Sequence, residues 1–260
     1  MEFKEVIGSR RSIRYYQPWR PVEREKIQTI LESARLASRA VNADWAKAIV
    51  VYRDDLAEDD REALKTATTT AQLDLAPVWI FWFADLSSPG EGHETLRELF
   101  DVGALTPGQG WSYAYIEDVV YPQVLGPIAN HEVALAAFGG CEAGLAICQA
   151  LLAAVDEGLG TQLTAFTPAK AKDVLGFPDH WFPLWVQLVG YPAESPDAGG
   201  QRPRKPMAEI YCEGKFGNAF EPDDAVTEQL KAARMIQESN AQEWRAAEVR
   251  GLARMFGLPE

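Results

Sequence analysis

The segment of residues 9–42, SRRSIRYYQPWRPVEREKIQTILESARLASRAVN, decides how this chain is interpreted. It begins with a cluster of Arg10, Arg11, Ser12 and Arg14 within five residues. Arginine offers planar, paired donors to a phosphate, and serine adds a hydroxyl donor. The cluster therefore predicts a pocket for one small anion; a set of solvated surface arginines is the alternative.

The second half of the segment predicts a helix over residues 21–38. Pro21 suits the first helical position, and Glu23 and Glu25 suit the positive end of the helix dipole. Apolar residues then recur at helical spacing as far as Ala37. A short helix is also predicted before the arginines, over residues 2–8.

Four apolar runs predict strands at residues 48–52, 77–84, 162–166 and 184–190. The run PVWIFWFA at 77–84 is apolar at every position, which is typical of a strand covered on both faces. Helices are predicted at residues 56–73, 130–157, 168–175 and, as one or two helices, 222–256, while residues 86–126 receive no assignment. This order predicts a domain of mixed helices and strands.

Charge and composition exclude several classes of function. Net charge is −13, and residues 54–169 carry 3 Lys and Arg against 18 Asp and Glu, so no nucleic acid or membrane partner is expected. The first 53 residues carry 11 Lys and Arg against 6 Asp and Glu, which fits an anion pocket. Three scattered histidines predict no metal site. Three cysteines and an N-terminus without an apolar region predict a cytoplasmic protein.

With no P-loop, dinucleotide fingerprint, H-E-x-x-H or G-x-S-x-G motif present, the order of several weaker motifs carries the interpretation. Residues 9–42 resemble the opening of the nitroreductase superfamily, the FMN-dependent NAD(P)H oxidoreductases. A late stretch resembles the same family: an alanine-rich helix ending in GLGT at 158–161, LWVQLVGYP at 184–192, and the basic loop RPRKP at 202–206. The matches cover about the first 53 residues and residues 130–210.

The resemblance implies an α+β fold, a nitroreductase-like α/β/α sandwich around a mixed, mainly antiparallel sheet. It further implies a domain-swapped homodimer with FMN at the subunit interface. The chain would then consist of an FMN-binding domain at residues 1–220, with an insertion around 86–128, and a C-terminal helical extension at 221–260. The extension would wrap the other subunit or form a solvated acidic tail.

The resemblance also implies roles for site residues. The FMN phosphate and ribityl chain would be held by Arg10, Ser12, Arg202 and Arg204, with Arg11 lining the same pocket. Arg14 would be catalytic, because a cation at the N1/C2 edge stabilises reduced flavin. The other subunit would contribute a turn containing Ser38, Arg39, Ala40 and Asn42. The isoalloxazine would lie against the backbone of Leu163, Thr164 and Ala165.

Some positions depart from the family pattern or allow two interpretations. Ser38–Arg39 stands where the family has Pro-Ser, and Arg39 is either a cation on the substrate side or a surface arginine. The aromatic residues of segment 111–121 form either a lid over a planar substrate or an insertion packed on the core or on a partner. Cys141 and Cys148 are predicted core residues, and His131 and His180 are predicted to cap helices or to satisfy local hydrogen bonds.

The implied function is hydride transfer from NAD(P)H through FMN to a nitroaromatic, quinone or similar electrophile, by a ping-pong mechanism. The altered turn at residues 38–45 leaves open a specialised flavoenzyme on the same fold, such as a reductive dehalogenase or an oxidase of one metabolite. A non-catalytic flavin-binding protein is the third hypothesis.

Overall fold

The computed structural model describes residues 1–238 and 243–259. Within these residues, four strands form an antiparallel sheet in the order β1-β2-β4-β3. The strands are β1 Ala46–Tyr52, β2 Val78–Asp85, β3 Gly160–Thr164 and β4 Trp181–Gly190. The resemblance implied a mixed, mainly antiparallel sheet. The sheet formed by these four strands is small, and all of its pairings are antiparallel. The N-terminal segment runs beside β3 but forms only one parallel bridge, Ser12 with Thr161.

Most of the described residues outside the sheet are helical or in short turns. The α-helices are α1 Phe3–Ser9, α2 Arg24–Arg35, α3 Glu58–Leu64, α4 Thr70–Leu75, α5 Ser88–Asp101, α6 Tyr113–Tyr115, α7 Gly126–Ala129, α8 Glu132–Asp156, α9 Pro168–Leu175, α10 Met207–Ile210, α11 Asp224–Ala232 and α12 Glu243–Phe256. A π-helix spans Ile116–Leu125, and 3₁₀ turns span Ala40–Asn42, Arg53–Asp55 and Pro107–Gln109.

Strand β2 is the centre of the core, and every one of its residues is buried. Because side chains alternate along a strand, Trp79, Phe81 and Phe83 enter one apolar cluster, which also contains residues of α3, α4 and α9. Ile80 and Trp82 enter a second cluster with α2 and α8. Helices therefore cover both faces of the sheet, as the uninterrupted apolar run predicted.

Helix α2 is shorter than the predicted helix at 21–38, because the residues before it are held in an extended conformation. Glu23 has φ −62° and ψ 136°, and its carboxylate accepts hydrogen bonds of 2.7 and 2.9 Å from the Tyr191 hydroxyl. Arg20 lies over the ring of Tyr191, 3.3 Å from its centroid. These contacts join the start of the helix to the end of β4.

The predicted helix at 56–73 is interrupted, and the unassigned segment 86–126 is largely helical. The interruption lies at a run of threonines, where the Thr66 amide donates to Thr69 Oγ1 at 3.0 Å; such hydroxyl bonds compete with helical backbone bonds. In the later segment, Trp111 and Tyr121 pack against a small cluster of Leu96, Ile116 and Leu125. The aromatic residues of 111–121 thus pack on their own segment.

Helix α8 matches the predicted core helix at 130–157, but the predicted burial of its cysteines is wrong. His131 caps the helix as predicted, with Nδ1 accepting from the Ala134 amide at 3.2 Å. Cys141 and Cys148 are exposed, as is Cys212. By length and composition α8 could span a membrane, yet one of its faces packs on the sheet as a core helix does.

The C-terminal helix α12 packs on its own chain. Phe256 stacks against Tyr15 and Trp19, with ring centroids 6.3 and 6.1 Å away, and it joins the cluster beneath the sheet. Arg245 of the same helix pairs with Glu194. The helix therefore contacts the segment that directly follows the arginine cluster.

Candidate functional site

A cavity of 940 Å³ opens where α1, the arginine cluster, α8 and the loop after β4 meet. Seven of the residues predicted for the site line it: Arg10, Arg11, Ser12, Arg14, Leu163, Arg202 and Arg204. Its apolar walls come from α1, α8 and the segment after α11, and consist of Phe3, Ile7, Leu151, Leu152, Met235 and Ile236. The cavity thus combines several cations with an extended apolar surface.

The arginine cluster is held against the sheet by backbone contacts. Helix α1 ends before Arg10, and the Ile13 amide then donates to the Thr161 carbonyl at 3.2 Å. A Cβ atom at Gly160 would lie 2.8 Å from a methyl carbon of Ile13. Glycine in the GLGT motif therefore permits the close approach that places the cluster beside β3.

Arg10 is a partly buried cation without a charged partner among the described residues. It is half-buried, and no ion pair holds its guanidinium among the described residues. Burial lowers the pKa of Arg10, and the neighbouring charge of Arg204 lowers it further. An anion placed between Arg10 and Arg204 would favour the charged form of Arg10 and so oppose both effects.

The two arginines of the late loop differ in how far the protein already uses them. Arg202 donates from Nη2 to the Ala198 carbonyl at 3.0 Å, which anchors its side chain. Arg204 is exposed, and its hydrogen bond within the described chain runs to the adjacent Pro203 carbonyl at 3.3 Å. Arg204 can therefore turn toward a ligand at less cost than Arg202.

Arg11 lines the same cavity, but its donors are engaged by the protein. Nη1 donates to the Gly8 carbonyl at 2.6 Å, Nη2 to Gln237 Oε1 at 2.8 Å, and Nε to the Asp197 carbonyl at 3.1 Å. Burial lowers the pKa of Arg11, while Asp197 offsets part of that effect. These bonds tie α1 to two later segments of the chain.

Sequence reasoning missed Glu194, which lies behind Arg14. Its side chain is 0% exposed; Oε1 accepts hydrogen bonds from the amides of Arg14 and, at 2.9 Å, of Tyr15. The side chain of Arg14 is exposed and donates to the Ser12 carbonyl at 3.1 Å. A single glutamate in a Pro- and Gly-rich loop gave no signal of this contact.

The predicted turn of Ser38, Arg39, Ala40 and Asn42 does not line the arginine cavity of its own chain. Arg39 pairs with Asp44, and the Ala40 amide donates to Glu142 Oε2 of α8 at 2.7 Å. Asn42 has φ 59°, in the left-handed region. The turn lies beside a different, smaller cavity of 140 Å³, which Arg39 helps to line.

The remaining predicted residues lie at the end of β3. Leu163 lines the arginine cavity, Thr164 is the last residue of the strand, and the exposed Ala165 follows it. Within residues 1–238 and 243–259, no cluster of His, Cys, Asp or Glu could hold a metal ion.

Comparisons with known proteins bear on the family resemblance and on the fold. Residues 7–101 match the model of the Nitroreductase family. A nitroreductase family protein from Streptococcus pneumoniae shares 24% identity, covering 82% of this chain and all of the other, with a TM-score of 0.62. A protein assigned as a nitroreductase from Exiguobacterium sibiricum, solved in complex with FMN, shares 22% identity over 81% of this chain and 96% of its own, with a TM-score of 0.65.

A third structure, of a protein assigned as an NAD(P)H:FMN oxidoreductase from Staphylococcus epidermidis, is 19% identical. It covers 81% of this chain and 94% of its own, with a TM-score of 0.65. No curated protein sequence matches the chain. The match over residues 7–101 confirms the resemblance of the N-terminal part of the chain to the nitroreductase family, and the solved structures show that the chain shares their fold.

Proposed function

We propose that the protein is an FMN-dependent oxidoreductase whose cofactor occupies the arginine cavity. One observation carries this proposal: the half-buried Arg10 has no ion pair in the described chain, and it lines a cavity with apolar walls together with Arg204, whose charge acts on it. Such an arrangement costs stability unless a bound anion compensates for it. A ligand that combines a phosphate with a flat apolar ring satisfies both parts of the cavity.

The described residues fit FMN. Arg10, Ser12 and Arg204 would hold the phosphate, with the anchored Arg202 beside them. The isoalloxazine would lie along the apolar wall, against the backbone of Leu163, Thr164 and Ala165, with Arg14 at its N1/C2 edge. Bound FMN supplies hydride acceptance and release at N5. Arg14 would provide the positive charge that favours the reduced form.

NAD(P)H is the proposed reductant, and the acceptor is an electrophile such as a nitroaromatic or a quinone. The Staphylococcus epidermidis neighbour is assigned as an NAD(P)H:FMN oxidoreductase, and another neighbour, CLA-ER, is an enone reductase. Placement of the flavin in the arginine cavity favours a ping-pong mechanism, because reductant and acceptor would use the same flavin face in turn. Three free cysteines are compatible with the proposed cytoplasmic location.

The visible absorption spectrum of the purified protein tests this function. We expect a flavin spectrum, about one FMN per chain when the released chromophore is identified by mass, and bleaching on addition of NADH or NADPH. A colourless protein that also fails to bind added FMN would contradict the proposal. A protein that binds FMN without NAD(P)H oxidation in the presence of acceptors would indicate flavin binding without turnover.

We further propose a homodimer formed through α8. One face of this helix carries an exposed stripe of small and apolar side chains, Ala137, Cys141, Gly144, Leu145 and Cys148, which is typical of helix packing. Cys148 and Leu152 also line the arginine cavity, whereas Glu142 of the same helix holds the turn at residues 38–42. A second copy crossing at α8 would bring that turn toward the partner's cavity.

Replacing Gly144 by Glu should break this dimer. A Cβ atom at Gly144 meets nothing within 4 Å in the single chain, so the fold should tolerate the side chain. Across a two-fold contact, however, it would bury two like charges, each at a cost of several kcal/mol. Light scattering after size-exclusion chromatography should show a dimer for the wild type and a monomer with reduced FMN content for the variant.

The matched control is Gly251→Glu on α12, where a Cβ atom also meets nothing within 4 Å. This variant should remain dimeric and keep its flavin. A wild-type protein that elutes as a monomer, or a Gly144→Glu variant that stays dimeric, would contradict the α8 interface.

A further inference from the structure

A buried ion pair connects the C-terminal helix to the backbone of Arg14. Glu194, after β4, pairs through Oε2 with Arg245 of α12, and the two side chains are 0% and 14% exposed. The other oxygen, Oε1, accepts from the amides of Arg14 and Tyr15. One carboxylate therefore joins α12 to the backbone of Arg14, which lines the arginine cavity, and to that of the next residue, Tyr15.

Arg245 is itself held in place from a second side. Its Nη1 donates to Glu248 Oε2 at 2.6 Å, and Glu248 Oε1 accepts from the Ser195 amide at 2.6 Å. Burial lowers the pKa of Arg245, but its bonds to Glu248 and Glu194 outweigh burial and raise the pKa above its ordinary value. Arg245 is therefore a permanent, fixed cation opposite Glu194.

The direction of the Arg14 side chain depends on this backbone support. Its guanidinium is exposed and donates only to the Ser12 carbonyl, two residues away, among the bonds of the described chain. No neighbouring segment there fixes the tip of the side chain. The position of the Arg14 guanidinium relative to a ligand therefore depends on where the backbone of Arg14 is held. Glu194 holds this backbone by accepting hydrogen bonds from the amides of Arg14 and Tyr15.

We propose that Glu194 and Arg245 are positioning residues that direct Arg14 toward the edge of the bound flavin, so that the C-terminal helix influences the redox balance of the cofactor. This inference rests on the proposed function. Arg245 lines no part of the arginine cavity, and its effect therefore passes through Glu194 and the backbone of residues 14–15.

The experiment compares Arg245→Met with Arg245→Lys and with a control, Arg250→Met, which removes an exposed arginine from the same helix. Affinities for oxidised and reduced FMN are measured for each apoprotein. For Arg245→Met we expect the preference for reduced over oxidised FMN to fall about tenfold, equivalent to a two-electron potential lower by about 30 mV. The Lys variant should recover part of this preference, and Arg250→Met should match the wild type.

A double substitution separates positioning from general stability. In an Arg14→Ala background, Arg245→Met should still lower the melting temperature but should leave the preference for reduced FMN unchanged, because the group through which it acts is gone. Amide exchange of residues 12–16 in the apoprotein should be faster in Arg245→Met than in Arg250→Met. If Arg245→Met does not fold, Glu194→Gln takes its place in every comparison.

The outcomes for this inference and for the proposed function are distinct. A wild-type protein that binds no FMN overturns both. A wild type that binds FMN, together with an Arg245→Met variant whose preference for reduced FMN is unchanged, overturns the positioning role alone. An equal further loss in the Arg14→Ala background also overturns it, because the effect would then bypass Arg14.

Discussion

Replacement of Arg10 by Met should weaken FMN binding by about 10- to 100-fold, since charged hydrogen bonds contribute roughly 1.5–3 kcal/mol each. Methionine keeps much of the length of the side chain and removes only its charged donors. Arg10 is half-buried and has no ion pair in the described chain, which is why the proposed function assigns it to the FMN phosphate. Titration calorimetry of FMN into the apoproteins measures the loss directly.

Although FMN affinity should fall in Arg10→Met, the thermal stability of the apoprotein should not. Burial and Arg204 both lower the pKa of Arg10, so the charged form is disfavoured in the empty fold, and its removal should leave the melting temperature equal or higher. Arg24→Met, at an exposed position of α2, serves as the control and should change neither quantity. An Arg10→Met variant that binds FMN like the wild type would remove Arg10 from the phosphate site.

The sequence predicted the sheet well because its signals are local. The run at 77–84 is apolar throughout, and the strand it forms is buried throughout. Helix ends were predicted less well where long-range contacts decide them: the Glu23 carboxylate binds the Tyr191 hydroxyl, 168 residues away. No property of residues 21–25 alone indicates that partner.

Within the site, the sequence located the arginines but could not distinguish their roles. Arg10 and Arg11 are adjacent, yet one faces the cavity without an ion pair in the described chain, while the other is bonded to Gly8, Asp197 and Gln237. Side chains of neighbouring residues in an extended segment point in opposite directions. Both residues line the cavity, and the C-terminal segment engages Arg11 through Gln237.

The prediction that Cys141 and Cys148 are core residues was wrong because a sequence pattern does not show what covers a helix face. Cys141 and Cys148 are seven residues apart on α8, and an apolar helix face has the same pattern whether it covers a sheet or a second chain. The sheet covers only one face of α8. The exposed stripe opposite is the surface that the proposed dimer would bury, and periodicity alone cannot separate the two faces.

Replacement of Gly8 by Ala should destabilise the protein, although alanine favours a helix over glycine by about 0.5–1 kcal/mol. A Cβ atom at Gly8 would lie 1.8 Å from the carbonyl oxygen of Arg234 and 2.7 Å from the Cα of Met235. Both are backbone atoms, and Arg234 sits in a left-handed turn with φ 60°, so the segment can yield only by moving as a whole. Overpacking of this kind costs about 1–3 kcal/mol.

The net effect should be a melting temperature lower by roughly 5 °C, given about 2–4 °C per kcal/mol for a chain of this size. The moved segment carries Met235 and Ile236 of the cavity wall and Gln237, which binds Arg11. FMN affinity should therefore fall about tenfold even though no phosphate ligand has changed.

Gly251→Ala is the matched control, because the same substitution should there raise the stability instead of lowering it. Gly251 lies within α12, and a Cβ atom there meets nothing within 4 Å, so only helix propensity acts and the variant should be more stable by about 0.5–1 kcal/mol. If Gly8→Ala were stabilised to the same degree, the close contact of α1 with the turn after α11 would be wrong, and so would the cavity wall built on it. Opposite signs for two identical substitutions in helices would show that the C-terminal segment packs against α1, where it forms one wall of the arginine cavity.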